Sequence, residues 1–405
     1  MPDEERWTGY QRWLVALVAL TVVFDGIDNQ LLGIVIPSVM VEWGVPRGAF
    51  APVVSLGYFG MMIGGALAGF LGDRLGRRTA LLGSMVVFGL TTIMAAAVDS
   101  IASLGAVRLL AGVGLGGAMP NAAALAAEYV PARMRPIAVT ITIVCVPVGG
   151  TLAGLLGIRA LPIAGWRALF VAGGLAPLVA AGVMRWLLPE SPQFLRSAAQ
   201  GGSRASVRSL FGPGLFQDTV ALWSAFFCCL VSVYLGFAWL TSLLTGAGFD
   251  PATAGAGITA FNLGGVAGAL VGGVAISRFG SKASMLAMAA VAVAGAVGMA
   301  FMPISPAVSV RPIVAMIALV GAAINGVQVA LYTLAAHMYP TAIRATGVGT
   351  AVAFGRIGAV LTGYVGAWAI DFGGPPSYFG VVAMMMLLTF GALAAVGRHV
   401  PARRP

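Results

Sequence analysis

Asp25 and Asp28 stand three residues apart inside an apolar run that extends from about residue 13 to residue 35. A carboxylate at the centre of a membrane-spanning helix costs about 2.5 to 3.5 kcal/mol on insertion scales, so it marks a site of use or a buried partner. At this spacing the two side chains share one helix face. Neighbouring carboxylates repel each other, which lets one of them hold a proton, so the pair is suited to proton binding. Two structural readings stand beside that one: pairing with an arginine for packing, or bonding to backbone groups near Gly26. Arg108 lies about seven residues, roughly 10 Å, inside another apolar run at 1.5 Å per residue. An arginine at that depth needs a partner, and Asp25 or Asp28 is the natural one. Arg356 is about twelve residues beyond Arg344, some 18 Å into its run and close to the midplane, where carrier sites sit. Its guanidinium can grip a carboxylate through two parallel hydrogen bonds, which lysine does less well. Binding of an organic anion is the expectation; pairing with a helix carbonyl or with Asp371 is the alternative. Asn325 and Gln328, also at i, i+3, and Asn121 and Asn262 are further polar groups in apolar surroundings. They either bond between helices or read a hydroxyl on a ring, with Tyr234, Trp239 or Phe354 available to stack on it.

The elements that position these residues follow from composition. Of 405 residues, 59% are hydrophobic and 9% charged, against roughly 25% charged in a soluble domain. Runs of about 20 apolar residues cross the hydrocarbon core as helix. They are expected near residues 13 to 35, 50 to 71, 79 to 98, 101 to 126, 136 to 157 and 166 to 188. A second set is expected near 219 to 245, 254 to 276, 284 to 303, 312 to 335, 346 to 369 and 378 to 397. The fold class is therefore an all-α membrane protein of about twelve transmembrane helices. The domains expected are a six-helix bundle over 1–195, a cytoplasmic linker over 196–216 and a second six-helix bundle over 217–405. The net charge of +10 raises the question of nucleic acid. Placement answers it, because Arg74, Arg77, Arg78, Arg133, Arg135, Arg204, Arg208, Arg403 and Arg404 fall in segments that alternate to one side, while Arg47, Arg159, Arg167 and Arg311 fall on the other. That is the positive-inside pattern, with both termini cytoplasmic in a multi-pass plasma-membrane protein. No nucleic-acid partner is expected. Residues 13 to 24 resemble a signal-peptide core, but the apolar run continues past Asp25, so it reads as the first transmembrane helix.

The halves repeat. GDRLGRR at 72 to 78 is echoed by SRFGSK at 277 to 282, with Arg74 and Gly76 matched by Arg278 and Gly280 at an offset of 204. EYVPARMR at 128 to 135 is echoed by HMYPTAIR at 337 to 344. GDRLGRR, PESPQFL at 189 to 195 and the duplicated halves resemble the major facilitator superfamily. DGID at 25 to 28, RLLAGVGLGGAMPNAAALAAEY at 108 to 129 and YPTAIRATGVGTAVAFGRIGA at 339 to 359 resemble its aromatic acid:proton symporter family. RSLFGP at 208 to 213 and RATGVGTAVAFGR at 344 to 356 look most like hydroxyphenylpropionate carriers within it.

The resemblance implies proton-coupled uptake of a small aromatic carboxylate, with Asp25, Asp28 and Arg108 in proton coupling. Substrate contacts are expected from Arg356, Asn121, Asn325, Gln328 and Tyr234. It also implies an inner gate at the GDRLGRR loop, with Asp73, Arg74, Arg77, Glu128 and Arg344 in charge pairs that break as the halves move; anchoring to anionic lipid is the other reading of these arginines. A proton-antiport exporter of amphiphilic compounds, or a symporter of a non-aromatic acid, would use the same residue types. Partners expected are an organic anion, protons and membrane lipid, with the chain monomeric.

Other chemistries lack their residues. The one lysine, Lys282, follows a serine and makes no phosphate-binding loop, so no ATP-driven step is expected, and it lies outside the spans, which argues against a retinal-type pump. No nucleophile with a histidine partner and no zinc motif suggests an enzyme, and neither cofactor nor metal is expected. Gly112, Gly114, Gly116 and Gly117 mimic a dinucleotide loop but lie inside an apolar helix, where close helix packing explains them, as it does Gly60 with Gly64. Cys145, Cys228 and Cys229 read as small core residues.

Overall fold

The computed structural model describes residues 8–131, 134–191, 210–212, 215–340 and 343–402. Most of the linker expected at 196–216 lies outside the described residues, as do Arg133, Arg204, Arg208, Arg403, Arg404 and the side chain of Asp73. Among the described residues the regular structure is helical: α1 Gly9–Trp43, α2 Ala51–Leu75, α3 Arg77–Met94, α4 Ile101–Glu128, α5 Arg135–Leu187, α6 Phe216–Gly246, α7 Pro251–Phe279, α8 Ser281–Phe301, α9 Val310–Met338 and α10 Arg344–Ala395. Among the described residues ten helices are long and apolar enough to cross a membrane. With no water in the hydrocarbon to satisfy backbone groups, helices that close their own hydrogen bonds are the natural solution for such a sequence.

Two helices are interrupted. The 53 residues of α5 and the 52 of α10 would each reach about 80 Å as straight rods, more than twice the roughly 30 Å of hydrocarbon. Within α5, Gly165 takes φ +75°. Within α10, Gly374 takes φ +61° just before Pro375 and Pro376. Only glycine enters that region without strain, and proline cannot continue the preceding ladder, so sequence and backbone agree on where the rods break.

The chain forms two compact units, Met1–Val35 with Leu56–Ser203, and Ile36–Ser55 with Arg204–Pro405. In the first, α2 and α4 meet backbone to backbone. A Cβ on Gly60 or Gly64 would fall 2.1 or 2.0 Å from the carbonyls of Leu109 and Val113, and one on Gly112 or Gly116 2.1 Å from those of Gly57 and Met61. In the second, Gly264 and Gly268 of α7 press on the Ala318 and Ala322 carbonyls of α9 at 2.0 and 1.9 Å by the same measure. Gly264 and Gly268 are displaced from Gly60 and Gly64 by the 204-residue offset of the loop motifs. The repeat therefore extends from the loops into the way the helices touch. Large apolar side chains stand exposed along outer faces, among them Leu175, Val179 and Val183 on α5 and Leu270, Val271 and Val274 on α7. Such faces are a liability in water and suit a hydrocarbon solvent.

Candidate functional site

In the first unit α1 is drawn against α5 by two glycines, since a Cβ on Gly26 would lie 2.2 Å from the Val146 carbonyl and one on Gly149 2.1 Å from that of Val23. This close approach fixes the rotation of α1 and with it the aim of Asp28. Asp28 is fully buried, and Arg108 of α4 is 4% exposed. Arg108 Nη2 donates to Asp28 Oδ2 at 2.6 Å, and the Thr92 hydroxyl of α3 donates to Asp28 Oδ1. The guanidinium lies over the Phe170 ring, 5.6 Å from its centroid, and Nη1 has no hydrogen-bond partner among the described residues. Asp25, equally buried, stands three residues earlier on α1. Two charges taken out of water need each other, because removing either leaves the other uncompensated.

In the second unit Arg356 lies on α10 and is 9% exposed. Its neighbourhood is set by glycine again: a Cβ on Gly358 would come 2.6 Å from the Phe227 carbonyl of α6. Two residues earlier on α10, Phe354 stacks on Trp223 with ring centroids 5.2 Å apart. Tyr234 is buried on α6, edge-on to Phe237 at 5.7 Å. Gln328 is half-buried on α9. Asn121 and Asn325 occupy equivalent places in the two units. Each donates its amide to a glycine carbonyl one turn back on its own helix, Gly117 and Gly321, both at 2.9 Å. Each also packs beside a glycine of the neighbouring helix, Gly72 and Gly265. Asn262 likewise donates to Ile258 at 2.8 Å. Asp371, considered above as a partner for Arg356, instead pairs with Arg47 at 2.7 Å.

At the GDRLGRR end of the first unit the expected gate residues divide. Arg77 Nε lies 3.0 Å from Glu128 Oε1, whose other oxygen accepts from the Ser191 hydroxyl. The turn before α3 is glycine by necessity: Gly76 has φ +96°, and a Cβ there would meet Glu190 Oε2. Glu190 Oε1 accepts from the backbone N–H groups of Arg78 and Ser191, each at 2.9 Å, capping an α3 terminus that Gly76 leaves uncapped. The Arg78 side chain donates to the Arg185 carbonyl, and Tyr129 donates to the Pro189 carbonyl at 2.6 Å. Burial, followed by the charge of Glu190, pushes the Tyr129 phenol well above its ordinary range. Arg74 is exposed. Arg344 belongs to the second unit, where its Nε donates to the Tyr339 carbonyl at 3.3 Å. Thr92, Phe170, Glu190 and Ser191 were not singled out by sequence; only Glu190 and Ser191 carried a signal, their place in PESPQFL. Among the described residues no cluster of His, Cys, Asp and Glu could hold a metal ion.

These features belong to a multi-helix carrier, and the chain belongs to the major facilitator superfamily, whose family model matches residues 18–308 and 222–405. Three relatives are each 34% identical to it. They are a gallate transporter of Pseudomonas putida, covering 97% of this chain and 92% of that one; a 4-hydroxybenzoate transporter of Acinetobacter baylyi, covering 95% and 90%; and a 3-(3-hydroxy-phenyl)propionate transporter of Escherichia coli, covering 85% and 84%. The fold is shared with the xylose transporter of Escherichia coli in a partially occluded inward-open conformation, at TM-score 0.78 and 16% identity over 98% of this chain and all of that one. A D-xylose-proton symporter matches at TM-score 0.75 and 18% identity over 97% and 98%. The chain is thus a membrane transporter and not an enzyme.

Proposed function

We propose that the chain takes up a small aromatic carboxylate, such as a hydroxybenzoate or a hydroxyphenylpropionate, together with protons. The observation that carries this reading is the buried Asp28–Arg108 pair, a carboxylate and a guanidinium joined at 2.6 Å among apolar helices. The names of the aromatic-acid relatives support the substrate class. In this reading Asp28, with Asp25 beside it, carries the proton, and Arg108 moves between Asp28 and other acceptors through its second amino group. Arg356 grips the substrate carboxylate in a bidentate fork, while Tyr234 and Gln328, with the remaining polar valences of Asn121 and Asn325, surround the ring and its hydroxyls. Arg77, Glu128, Arg74, Asp73 and Arg344 form the inner gate, the first pair being joined at 3.0 Å. The breaks at Gly165 and Gly374 support dividing α5 and α10 into two crossings each, for twelve in all. Two six-helix bundles over 1–195 and 217–405, a linker over 196–216, both termini in the cytoplasm of a plasma-membrane protein and a monomeric state complete the proposal.

The test is uptake of radiolabelled hydroxybenzoates and hydroxyphenylpropionates by cells, with and without an uncoupler, for the parent, Asp28→Asn and Arg356→Ala. Accumulation lost to the uncoupler and to both substitutions in well-expressed protein supports the proposal. No uptake of any acid, together with raised resistance to amphiphilic toxins, overturns it in favour of an exporter.

A further inference from the structure

The two oxygens of Asp28 are answered from different helices: Oδ2 takes Arg108 Nη2 of α4 at 2.6 Å, and Oδ1 takes the hydroxyl of Thr92 on α3. A threonine inside a helix commonly turns its hydroxyl back to a carbonyl of the preceding turn. In the same unit Thr21, Thr91, Thr142 and Thr151 all do so, Thr91 to Val87 at 2.7 Å and Thr142 to Ala138 at 2.8 Å. Thr92, fully buried, aims instead at a side chain 64 positions away. The packing of α3 on α5 explains the aim. A Cβ on Gly174 would fall 2.3 Å from the Gly89 carbonyl, so the two backbones meet one turn before Thr92. Beside that contact a Cβ on Gly173 would stand 3.8 Å from Thr92 Cγ2 and 2.4 Å from Leu31 Cδ1. A β-branched side chain is stiff at χ1, so seating the methyl toward α5 holds the hydroxyl on Asp28.

Left to themselves, a guanidinium and a carboxylate pair through two parallel hydrogen bonds. Here the fork is half made. Arg108 Nη1 is buried with no hydrogen-bond partner among the described residues, while the oxygen it would take is held by Thr92. Phe170, under the guanidinium, offers that arm no oxygen or nitrogen. In a low-dielectric interior each charge-assisted bond is strengthened, so a second one would fix Arg108 to Asp28 more firmly. We infer that Thr92 is a positioning residue for transport: by occupying Oδ1 it keeps the Asp28–Arg108 pair to a single hydrogen bond and so leaves Arg108 able to part from Asp28 during the cycle. The inference rests on the carrier reading of that pair, but half of its test is independent of any substrate.

Thr92→Val keeps the shape of the side chain and removes the hydroxyl. With Oδ1 vacated, the idle arm of Arg108 can close the fork, so the unfolding midpoint of the purified carrier in mild detergent should not fall. In an Arg108→Met background no arm can take that place, and the same substitution should lower the midpoint below that of Arg108→Met alone. A double variant that fails to accumulate beside a well-folded Thr92→Val counts as the same result. In cells, uptake of radiolabelled hydroxybenzoates and hydroxyphenylpropionates by Thr92→Val should lose about tenfold in maximal rate, the effect of one added hydrogen bond to a charged group, with KM for the acid unchanged. Thr92→Ser, which keeps the hydroxyl but not the methyl, should return most of that rate. A midpoint that falls equally with and without Arg108 would overturn the inference, because the hydroxyl would then be a structural bond alone. So would Thr92→Val transporting at the parental rate, or Thr92→Ser as slow as Thr92→Val. If the parent takes up no acid yet the midpoints depend on Arg108 in this way, the substrate reading fails and the role of Thr92 in holding the pair to one bond stands.

Discussion

Replacing Arg108 with methionine removes one charge from a pair whose side chains are 5% and 0% exposed. What remains is Asp28 with the Thr92 hydroxyl on one oxygen and, among the described residues, no hydrogen-bond donor on the other. Truncating one partner of a buried pair destabilises by about 3 to 5 kcal/mol, because a lone charge stays out of water, whereas replacing both partners by apolar groups of similar volume is often neutral. Arg108→Met alone should therefore lower the unfolding midpoint sharply, and Asp28→Leu with Arg108→Met should recover most of the loss while leaving proton-driven uptake absent. The assay is unfolding of purified carrier in mild detergent, followed by tryptophan fluorescence, with uptake measured in parallel in cells. A single variant that loses less than about 1 kcal/mol, or a double variant as unstable as the single, would refute the argument that the pair is desolvated and mutually dependent.

Glu190→Ala removes the carboxylate that caps α3, at a cost of about 1 kcal/mol, so trypsin should cut the Arg77–Arg78 segment about fivefold faster. Gly268→Ala drives a methyl to 1.9 Å from the Ala322 carbonyl, and the α7–α9 seam should lose about 1 to 3 kcal/mol, read as a lower unfolding midpoint; Gly64→Ala should match it in the other unit. Burial lowers the His399 pKa from its ordinary 6.5, with nearby Lys282 adding to the effect. His399 rests against Ser281, which also bonds the backbone of Val400. Its neutral form is favoured when docked, so the C-terminal strip holds fully above pH 6.5 and loosens as pH falls below it, where the released strip binds the extra proton. A carboxypeptidase should trim the chain faster at pH 5.5 than at 7.5, and His399→Phe should flatten that difference.

The Asp28–Arg108 pair was legible because lone charges in apolar runs demand a counter-charge within reach. The choice of Asp28 over Asp25 was not legible, since it depends on how Gly26 and Gly149 set the rotation of α1. The glycines Gly60 and Gly64 announced close packing without naming the strand of carbonyls on α4 they would meet. Arg47 was read only as a charge on the outer side and Asp371 only as an alternative partner for Arg356; their own pairing was not legible, because charges in connections are ordinarily solvated and nothing in their spacing brings residues 324 positions apart together. Glu190 lay in a quoted motif, yet its capping role needed the left-handed turn at Gly76 to bring α3 beneath it. The asparagines Asn121 and Asn325 were read as polar groups in apolar spans; that they are counterparts under the internal repeat emerged only from their matching bonds to Gly117 and Gly321.

The glycine seams also decide what can bend. A helix pair that meets through long side chains can slide, because rotamers rearrange as it moves. In α2 with α4, and in α7 with α9, peptide groups touch directly, so there is no pliable layer between the rods and any slip must break contacts at several levels at once. Each pair behaves as a stiff beam. The regular backbone is interrupted instead at the glycine breaks in α5 and α10, so within each unit the fused rods are separated from short joints that carry no such seam.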